Sequence, residues 1–376
     1  YSGAPLVIAE VGAAMMRSGA RVKVVSAADD VLAWNAFCNF RLPVLPIEKT
    51  KELAVDADLI IANTTAQPVV DLVSELATTS PDTLEKMVWW VHEIDREFCA
   101  VENQSLKQAK LVAFDSAGAR EVWNEAGLDL PDAPVIHPAV SDELIAQTAD
   151  EKLPFSRNPL CDADDEAETF SRAEIRAHLG VEDEDFLVTL IGTMKDAKGQ
   201  RLLLKTLTKL SQDNNLKLRL LFVGFESEWQ RSSFLSSLSS EERGLLSPKR
   251  AYLFQRNIAA FYKASDAFVL NTQGETGRGE AFGRVVIEAM AFGTPVLATQ
   301  GGGVPEIITD GETGMLYPLG DEGQTVLAEK LTILAEDRER ARAIGEAGRM
   351  RVNAVFREKR MLTEVNDLLV RLLNSR

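Results

Sequence analysis

The chain is poor in cysteine and in histidine. Its 376 residues include three histidines and three cysteines, Cys38, Cys99 and Cys161. Cysteines so few and so widely spaced exclude a disulfide framework and a zinc knuckle. Their scarcity favours a reducing compartment, and we expect a cytoplasmic protein.

Long apolar runs and an excess of positive charge are also missing. The apolar runs fall well short of the ~20 residues that a membrane-spanning helix needs, and the first residues lack the pattern of a signal peptide. We therefore expect no transmembrane segment. Asp and Glu number 57 against 41 Lys and Arg, for a net charge of −16. Since nucleic-acid binding needs dense positive charge, we expect no nucleic acid partner, although a local basic pocket can still bind a small phosphate-bearing ligand.

The residues that are present are typical of a globular α/β protein. Apolar residues make up 45% of the chain and charged residues 26%, and the length predicts two domains. Short apolar runs such as 87–91 (MVWWV) and 267–270 (AFVL) alternate with helical segments in both halves, which predicts mainly parallel sheets. A helical pattern over 6–16 directly follows a turn, so we expect the first strand of the N-terminal domain to be missing.

Two acidic segments mark the expected boundary between the domains. Residues 162–168 contain five carboxylates and residues 182–185 are all acidic, a composition typical of solvated loops. Apolar residues recur at helical spacing over 361–373 and predict an amphipathic helix that returns to the first domain. The predicted organisation is an N-terminal domain over 1–145, an acidic linker region over 146–185, a C-terminal domain over 186–350 and a C-terminal helix over 351–376.

A single carboxylate lies inside an otherwise apolar helix. Residues 285–292 (VVIEAMAF) contain one polar residue, Glu288, so the helix should be buried on nearly all sides. A buried carboxylate is costly unless a strong partner meets it. Two kinds of partner suit Glu288: the vicinal diol of a sugar, or a buried arginine or lysine.

An anion site is expected at the start of this helix. Phe282, Gly283 and Arg284 lead into it, the glycine lets backbone N–H groups approach a ligand, and a helix N-terminus favours negative charge. Glu280 lies eight residues before Glu288, so that a carboxylate stands on each side of the anion site. Such a segment suits a nucleotide sugar, whose ribose, diphosphate and hexose would follow one another along it.

The spacing of the two carboxylates is shared with a known enzyme family. Glu280 and Glu288, within GEAFGRVVIEAMAFGTPVLA (279–298), resemble the E-x7-E signature of the retaining glycosyltransferases of family 4, or glycosyl transferases group 1. The other similar segments are 2–5 (SGAP) and 89–93 (WWVHE), more loosely, and 261–267 (FYKASDA), 301–308 (GGGVPEII) and 310–316 (DGETGML). The resemblance covers most of the chain. It implies the GT-B fold, in which two Rossmann-like domains face each other across a cleft.

The resemblance implies a role for each matching residue. Glu288 would hold the ribose hydroxyls of the nucleotide, and Glu280 would contact hydroxyls of the transferred sugar. Lys198, in the loop GTMKDAKG (192–199), would neutralise the leaving phosphate. His92 ends an apolar strand, where α/β domains place ligand contacts, and would lie in the cleft. The candidate catalytic residues are therefore Lys198, Glu280 and His92. The candidates for donor binding, besides Glu288, are Gly192, Thr193, Phe282, Gly283, Arg284 and Val285. Gly3 is a candidate loop residue for binding the diphosphate or the acceptor.

Two positions depart from the family pattern. Thr193 stands where the family usually has arginine, which weakens the expected diphosphate clamp unless Lys195 or Arg284 substitutes. The loop before Glu280 is longer than usual and offers a rival carboxylate, Glu275. We prefer Glu280 because it alone has the x7 spacing.

These observations predict a retaining glycosyltransferase of the hexosyltransferase type, which moves a sugar from a nucleoside diphosphate sugar to an unidentified acceptor. We expect no cofactor and no metal ion, because no D-x-D pair is placed to hold one beside a diphosphate. A nucleotide-sugar-binding protein without turnover is an alternative, since Thr193 removes one cation. A dinucleotide-dependent enzyme is disfavoured, because no G-x-G-x-x-G follows a strand with an acidic residue ~20 positions on.

Overall fold

The computed structural model describes residues 3–26, 37–94, 103–161, 168–214 and 216–374. It divides into two units. Unit 1 comprises Tyr1–Ala139 together with Glu358–Arg376, and unit 2 comprises Val140–Arg357. Cys99, Ser2 and most of the acidic segment 162–168 lie outside the described residues.

Strands and helices alternate along the described residues. The strands are β1 (Val24–Val25), β2 (Val44–Leu45), β3 (Ile60–Asn63), β4 (Met87–Val91), β5 (Leu111–Phe114), β6 (Lys152–Pro154), β7 (Thr169–Ser171), β8 (Phe186–Ile191), β9 (Leu218–Phe225), β10 (Ala251–Leu253), β11 (Ala267–Leu270), β12 (Val296–Thr299) and β13 (Met315–Tyr317). The helices are α1 (Gly3–Arg17), α2 (Thr50–Asp56), α3 (Gln67–Thr79), α4 (Asn103–Leu106), α5 (Ala117–Glu125), α6 (Asp142–Gln147), α7 (Arg172–Leu179), α8 (Gln200–Asn214), α9 (Glu228–Ser236), α10 (Ser240–Leu245), α11 (Ala259–Ala264), α12 (Arg284–Ala291), α13 (Val304–Ile307), α14 (Gly320–Glu336), α15 (Arg338–Val355) and α16 (Glu358–Asn374). Within these ranges no helix is both long enough and apolar enough to cross a membrane.

Unit 2 is built around a parallel sheet with the strand order β10-β9-β8-β11-β12-β13. Each neighbouring pair in it is parallel, so the expectation of an α/β protein with parallel sheets is confirmed. Because β8 and β11 are neighbours without being consecutive, the strand order reverses between them. Sheets of this kind bind ligands outside the carboxyl ends of their strands, at the point of reversal.

Apolar side chains cover both faces of the unit 2 sheet. In β8, Leu187 and Ile191 belong to one apolar cluster and Val188 to another, as the alternation of side chains along a strand requires. The first cluster includes Val286 and Met290 of α12, and the second includes the apolar face of α8. Helix α12 is therefore held inside unit 2, as its composition predicts.

Unit 1 contains the parallel sheet β3-β4-β5 and a separate parallel pair, β1-β2. Helix α1 begins at Gly3, so Gly3 is helical here, whereas the resemblance implies a loop. On α16, Met361 and Val365 lie in one apolar cluster with Val88 of β4. The C-terminal helix α16 is thus part of unit 1.

The segment predicted as an acidic linker, 146–185, belongs to unit 2. It contains the antiparallel pair β6-β7 and the helix α7. Leu153, Phe170 and Ile175 from these elements are buried in the unit 2 core. The linker prediction is therefore wrong, because the apolar residues between the acidic ones bury enough surface to fold the segment onto the sheet.

The C-terminal region 351–376 is not one helix. Helix α15 ends at Val355 and α16 begins at Glu358. Phe356 between them is 1% exposed and lies in the unit 2 core, and its carbonyl accepts a hydrogen bond from the Val140 amide at 2.9 Å. This anchored residue interrupts the helix where the chain passes from unit 2 to unit 1.

Candidate functional site

The carboxyl ends of β8 and β11 bring a lysine and a glutamate together. Lys198 lies in the loop after β8 and Glu280 in the loop after β11. The Lys198 Nζ atom is 2.6 Å from Glu280 Oε2, and the two side chains are 30% and 21% exposed. The hydroxyl of Thr272 donates to the same Oε2 at 2.9 Å. A cation and a carboxylate that are partly exposed at the reversal point of the sheet can both reach a bound ligand.

A tight turn carries Lys198. Residues Asp196–Lys198 form a single 3-10 turn that ends at Gly199, whose φ is +71°. A Cβ atom at Gly199 would lie 2.3 Å from the Asn271 carbonyl oxygen. Glycine is required there by both its φ and this close approach, which brings the turn against the end of β11.

The rival carboxylate lies elsewhere. Glu275 is exposed, in a stretch of the β11 loop where Gly274 and Gly277 have φ of +75°. The contact with Lys198 is made by Glu280 instead. This geometry supports the choice of Glu280 that the x7 spacing suggests.

Helix α12 begins four residues after Glu280. Its N-cap is Gly283, with a φ of +97° and no capping side chain, so the conformation again favours glycine. Phe282 is 2% exposed and packs against Phe356 with ring centroids 5.9 Å apart. Val285 also packs against the unit 2 core. In this structure Phe282 and Val285 are packing residues that hold the helix start in place.

Glu288 is buried and has two partners. Its Oε1 accepts from Arg284 Nε at 2.9 Å, and its Oε2 accepts from the Tyr262 hydroxyl at 3.0 Å. Of the two kinds of partner that the sequence left open, the buried arginine is the one observed. Burial, as the main cause, and the negative charge of Glu288, as the second, raise the pKa of Tyr262 well above its usual value. The hydroxyl therefore keeps its proton and remains a donor. Glu288 and Arg284 are among the residues predicted from the sequence, whereas Tyr262 is not.

The loop after β8 starts with Gly192 and Thr193, the residue that stands where the family usually has arginine. The Gly192 amide donates to Val223 O at 2.9 Å, and the Thr193 carbonyl accepts from Gln200 Nε2 at 2.8 Å. Lys195 is exposed. Arg284 is paired with Glu288 and Lys198 with Glu280, and the Lys198 side chain is the more exposed of these two cations, at 30% against 10%.

In unit 1, three polar residues meet where neighbouring parallel strands end. The His92 Nε2 atom is 2.8 Å from Asn63 Oδ1, and His92 Nδ1 is 3.6 Å from Asp115 Oδ2. The side chains of His92 and Asp115 are each 6% exposed, and Trp90 stacks on the His92 ring. His92 is predicted from the sequence but its two partners are not, although both directly follow apolar strand runs, LIIA and LVAF.

The described residues contain no group of three or more His, Cys, Asp or Glu side chains that could hold a metal ion. Lys198 and Glu280 form a pair of opposite charges rather than a set of anionic ligands. Independence from metal ions therefore stays a prediction of the sequence, to be tested directly.

Comparison with known proteins agrees with the sequence. The family model for glycosyl transferases group 1 matches residues 171–351, and that for glycosyl-transferase family 4 matches residues 1–152. N-acetyl-alpha-D-glucosaminyl L-malate synthase of Bacillus anthracis is 28% identical over 207 residues, 54% of this chain and 51% of that protein. D-inositol 3-phosphate glycosyltransferase of Nocardia farcinica is 32% identical over 181 residues, 46% of this chain and 38% of that protein. The chain spans about half the length of these curated relatives, or less.

Solved structures show the same fold. A crystal structure of HepE from Anabaena in complex with UDP-glucose is 20% identical, with a TM-score of 0.75 over 100% of this chain and 97% of that one. A glycosyltransferase from Rickettsia africae is 18% identical, with a TM-score of 0.73 over 100% of this chain and 97% of that one. These likenesses confirm the predicted GT-B fold. Because the two family models together match residues 1–152 and 171–351, the chain belongs to the family 4 glycosyltransferases, glycosyl transferases group 1.

Proposed function

We propose that the protein transfers a sugar from a nucleoside diphosphate sugar to an acceptor and keeps the anomeric configuration of the donor. The observation that carries this proposal is the 2.6 Å contact between Lys198 and Glu280. This pair lies at the reversal point of the unit 2 sheet, just ahead of the N-terminus of α12. A cation, a carboxylate and a helix N-terminus suit a diphosphate that is joined to a sugar.

Lys198 is the candidate for stabilising the leaving group. The diphosphate gains negative charge as its bond to the sugar breaks, so a cation fixed in advance lowers the barrier more than it tightens donor binding. The ion pair with Glu280 and the turn ending at Gly199 fix Lys198 before any donor arrives.

Glu280 is the candidate for orienting the transferred sugar. Lys198 and Thr272 both donate hydrogen bonds to one oxygen of Glu280, Oε2. A carboxylate offers about four acceptor positions, which leaves Glu280 able to accept hydrogen bonds from sugar hydroxyls. Held in this way, the carboxylate would define where the sugar ring sits relative to Lys198.

Glu288 is the candidate for holding the ribose. The Arg284 and Tyr262 bonds use one position on each carboxylate oxygen, and further positions can accept the two hydroxyls of a vicinal diol. Because the side chain is only 6% exposed, the ribose must enter beside α12 for this contact to form.

The first donor to test is UDP-glucose, since the HepE structures are described as complexes with UDP and with UDP-glucose. GDP and ADP sugars complete the panel. Release of the nucleoside diphosphate should require Lys198 and Glu280, whereas Glu275→Gln should leave the rate almost unchanged. Release that is unaffected by both Lys198→Ala and Glu280→Gln would refute the proposed site.

The second candidate function is a protein that binds a nucleotide sugar without turnover. Thr193 favours it, because this residue places a neutral hydroxyl where an arginine guanidinium could bind the diphosphate with two hydrogen bonds. A thermal-shift panel with the same nucleotides separates the two. A ligand at 100 times its dissociation constant adds about 2.7 kcal/mol of stability. Stabilisation without release of nucleoside diphosphate, in the presence of broad acceptor mixtures, would favour the binding protein.

A further inference from the structure

A buried polar network lies directly beneath Lys198, at the end of β11. Its centre is Asn271, which is 0% exposed. The Asn271 Nδ2 atom donates to the Gly199 carbonyl at 2.8 Å. Its Oδ1 accepts from the Tyr317 hydroxyl at 2.9 Å and from Gln324 Nε2 at 3.0 Å. The Lys198 turn is thus tied to β13 and α14 through one side chain.

The network extends to α8. Thr206 of α8 lies within hydrogen-bond distance of Gln324 Oε1, at 3.0 Å, and the single proton of the Tyr317 hydroxyl is shared between Asn271 Oδ1 and the Leu270 carbonyl, each at 2.9 Å. Because both the donor and the acceptor of the Asn271 amide are used, its orientation is fixed. A buried hydrogen-bonded network of this kind favours one arrangement of its members.

A second tie fixes the other end of the same turn. The Gln273 amide donates to the Ala197 carbonyl at 2.7 Å, and Gln273 Oε1 accepts from the Gly320 amide at 2.7 Å. The residues on both sides of Lys198, Ala197 and Gly199, are therefore bonded to the end of β11. The Lys198 backbone is held in place although its side chain is partly exposed.

We propose that Asn271 is a positioning residue that fixes the Lys198 turn for the reaction. This inference rests on the proposed function of Lys198. Asn271 itself is fully buried and acts through the Gly199 carbonyl. A lysine ammonium group is carried on a flexible four-carbon stem. We therefore expect that it reaches the diphosphate reproducibly only if the backbone that carries it is fixed. A shift of about 1 Å in such a group can cost roughly 10²-fold in rate.

The test compares Asn271→Ala with Thr189→Val. Thr189 is also 0% exposed in unit 2, but it lies inside β8, and its buried hydrogen bond at 2.6 Å is made to Ser265 rather than to a loop of the site. Asn271→Ala should lower kcat roughly tenfold or more while the KM for the donor changes less than about twofold, because Lys198 acts mainly in the transition state. Thr189→Val should leave kcat unchanged. Equal kcat for the two variants would overturn the proposal.

A double variant tests whether Asn271 acts through Lys198. In the Lys198→Ala background, Asn271→Ala should have no further effect on kcat. An undiminished effect in that background would show a different role and overturn the inference. If Asn271→Ala does not fold, Tyr317→Phe replaces it in the test. This variant keeps the aromatic ring and removes one donor to Asn271, so its kcat should fall in the same direction by a smaller factor.

Amide hydrogen exchange gives a reading that needs no donor. In Asn271→Ala the amides of Lys198 and Gly199 should exchange about tenfold or more faster than in Thr189→Val. If exchange is faster in Asn271→Ala but the unaltered protein turns over no donor, the proposed function is refuted. The inference that Asn271 positions the turn would still stand. Unchanged exchange at both amides would overturn the positioning role, whatever the activity.

Discussion

Removing either partner of the Arg284–Glu288 ion pair should destabilise unit 2 strongly. The Nε and Oε1 atoms lie 2.9 Å apart, and the side chains are only 10% and 6% exposed. Breaking a buried pair by removing one partner costs about 3–5 kcal/mol, because the other charge stays buried. We expect a loss in this range for Arg284→Met and for Glu288→Gln.

The double variant Arg284→Met/Glu288→Gln should recover most of that loss. It leaves no buried charge, and the amide oxygen of the new glutamine can still accept from Tyr262. Arg349→Met, which breaks the exposed pair with Glu346 in the same unit, should leave stability almost unchanged. Single-variant losses of less than about 1 kcal/mol, or losses that simply add in the double variant, would refute this description of the pair.

Urea unfolding followed by circular dichroism measures these changes, and amide exchange in α12 assigns the transition to unit 2. Nucleotide binding is tested with a separate pair of variants. Glu288→Ala should weaken nucleotide binding about tenfold or more, as expected for the loss of charge-assisted hydrogen bonds worth about 1.5–3 kcal/mol. Glu275→Ala should bind nucleotide as tightly as the unaltered protein does. If instead Glu275→Ala weakens nucleotide binding and Glu288→Ala does not, the assignment of roles to these two carboxylates is wrong.

Three further predictions concern the diphosphate. Lys198→Ala should lower turnover by roughly 10²-fold or more, with Lys205→Ala, an exposed lysine on α8, as the control, and a silent Lys198→Ala would mean that the site is elsewhere. Thr193→Arg should tighten donor binding roughly tenfold, because Arg284 is engaged with Glu288; unchanged or weaker binding in a calorimetric titration would show that the space is already filled. Turnover should be unchanged after dialysis against EDTA, and a loss that Mg²⁺ or Mn²⁺ restores would contradict the predicted independence from metal ions.

Much of unit 2 could be predicted from the sequence because its signals are local. Apolar runs mark the strands, and glycine marks the turn at Gly199 and the helix start at Gly283. The pairing of Arg284 with Glu288 was also within reach, since residues four apart lie on one face of a helix. The sequence left that partner open because a sugar diol satisfies a carboxylate equally well.

The parts that were missed depend on contacts between residues far apart in the chain. Tyr262 reaches Glu288 from another helix, and Asn271 joins the Lys198 turn to elements more than forty residues away. The linker prediction was wrong because charge density is a local property, whereas the burial of Phe170 and Ile175 depends on the sheet they pack against. Composition alone does not identify such contacts.

The most direct test of the central claim is proton NMR of the first-formed sugar product, recorded with the purified protein and the donor that the panel identifies. The sugar should appear first in the donor's own anomeric configuration, before free sugar equilibrates. Its appearance should be abolished, or slowed by roughly 10²-fold or more, in Lys198→Ala. A product that first appears with inverted configuration would contradict retention, and the same product at an unchanged rate in Lys198→Ala would contradict the role of the Lys198–Glu280 site.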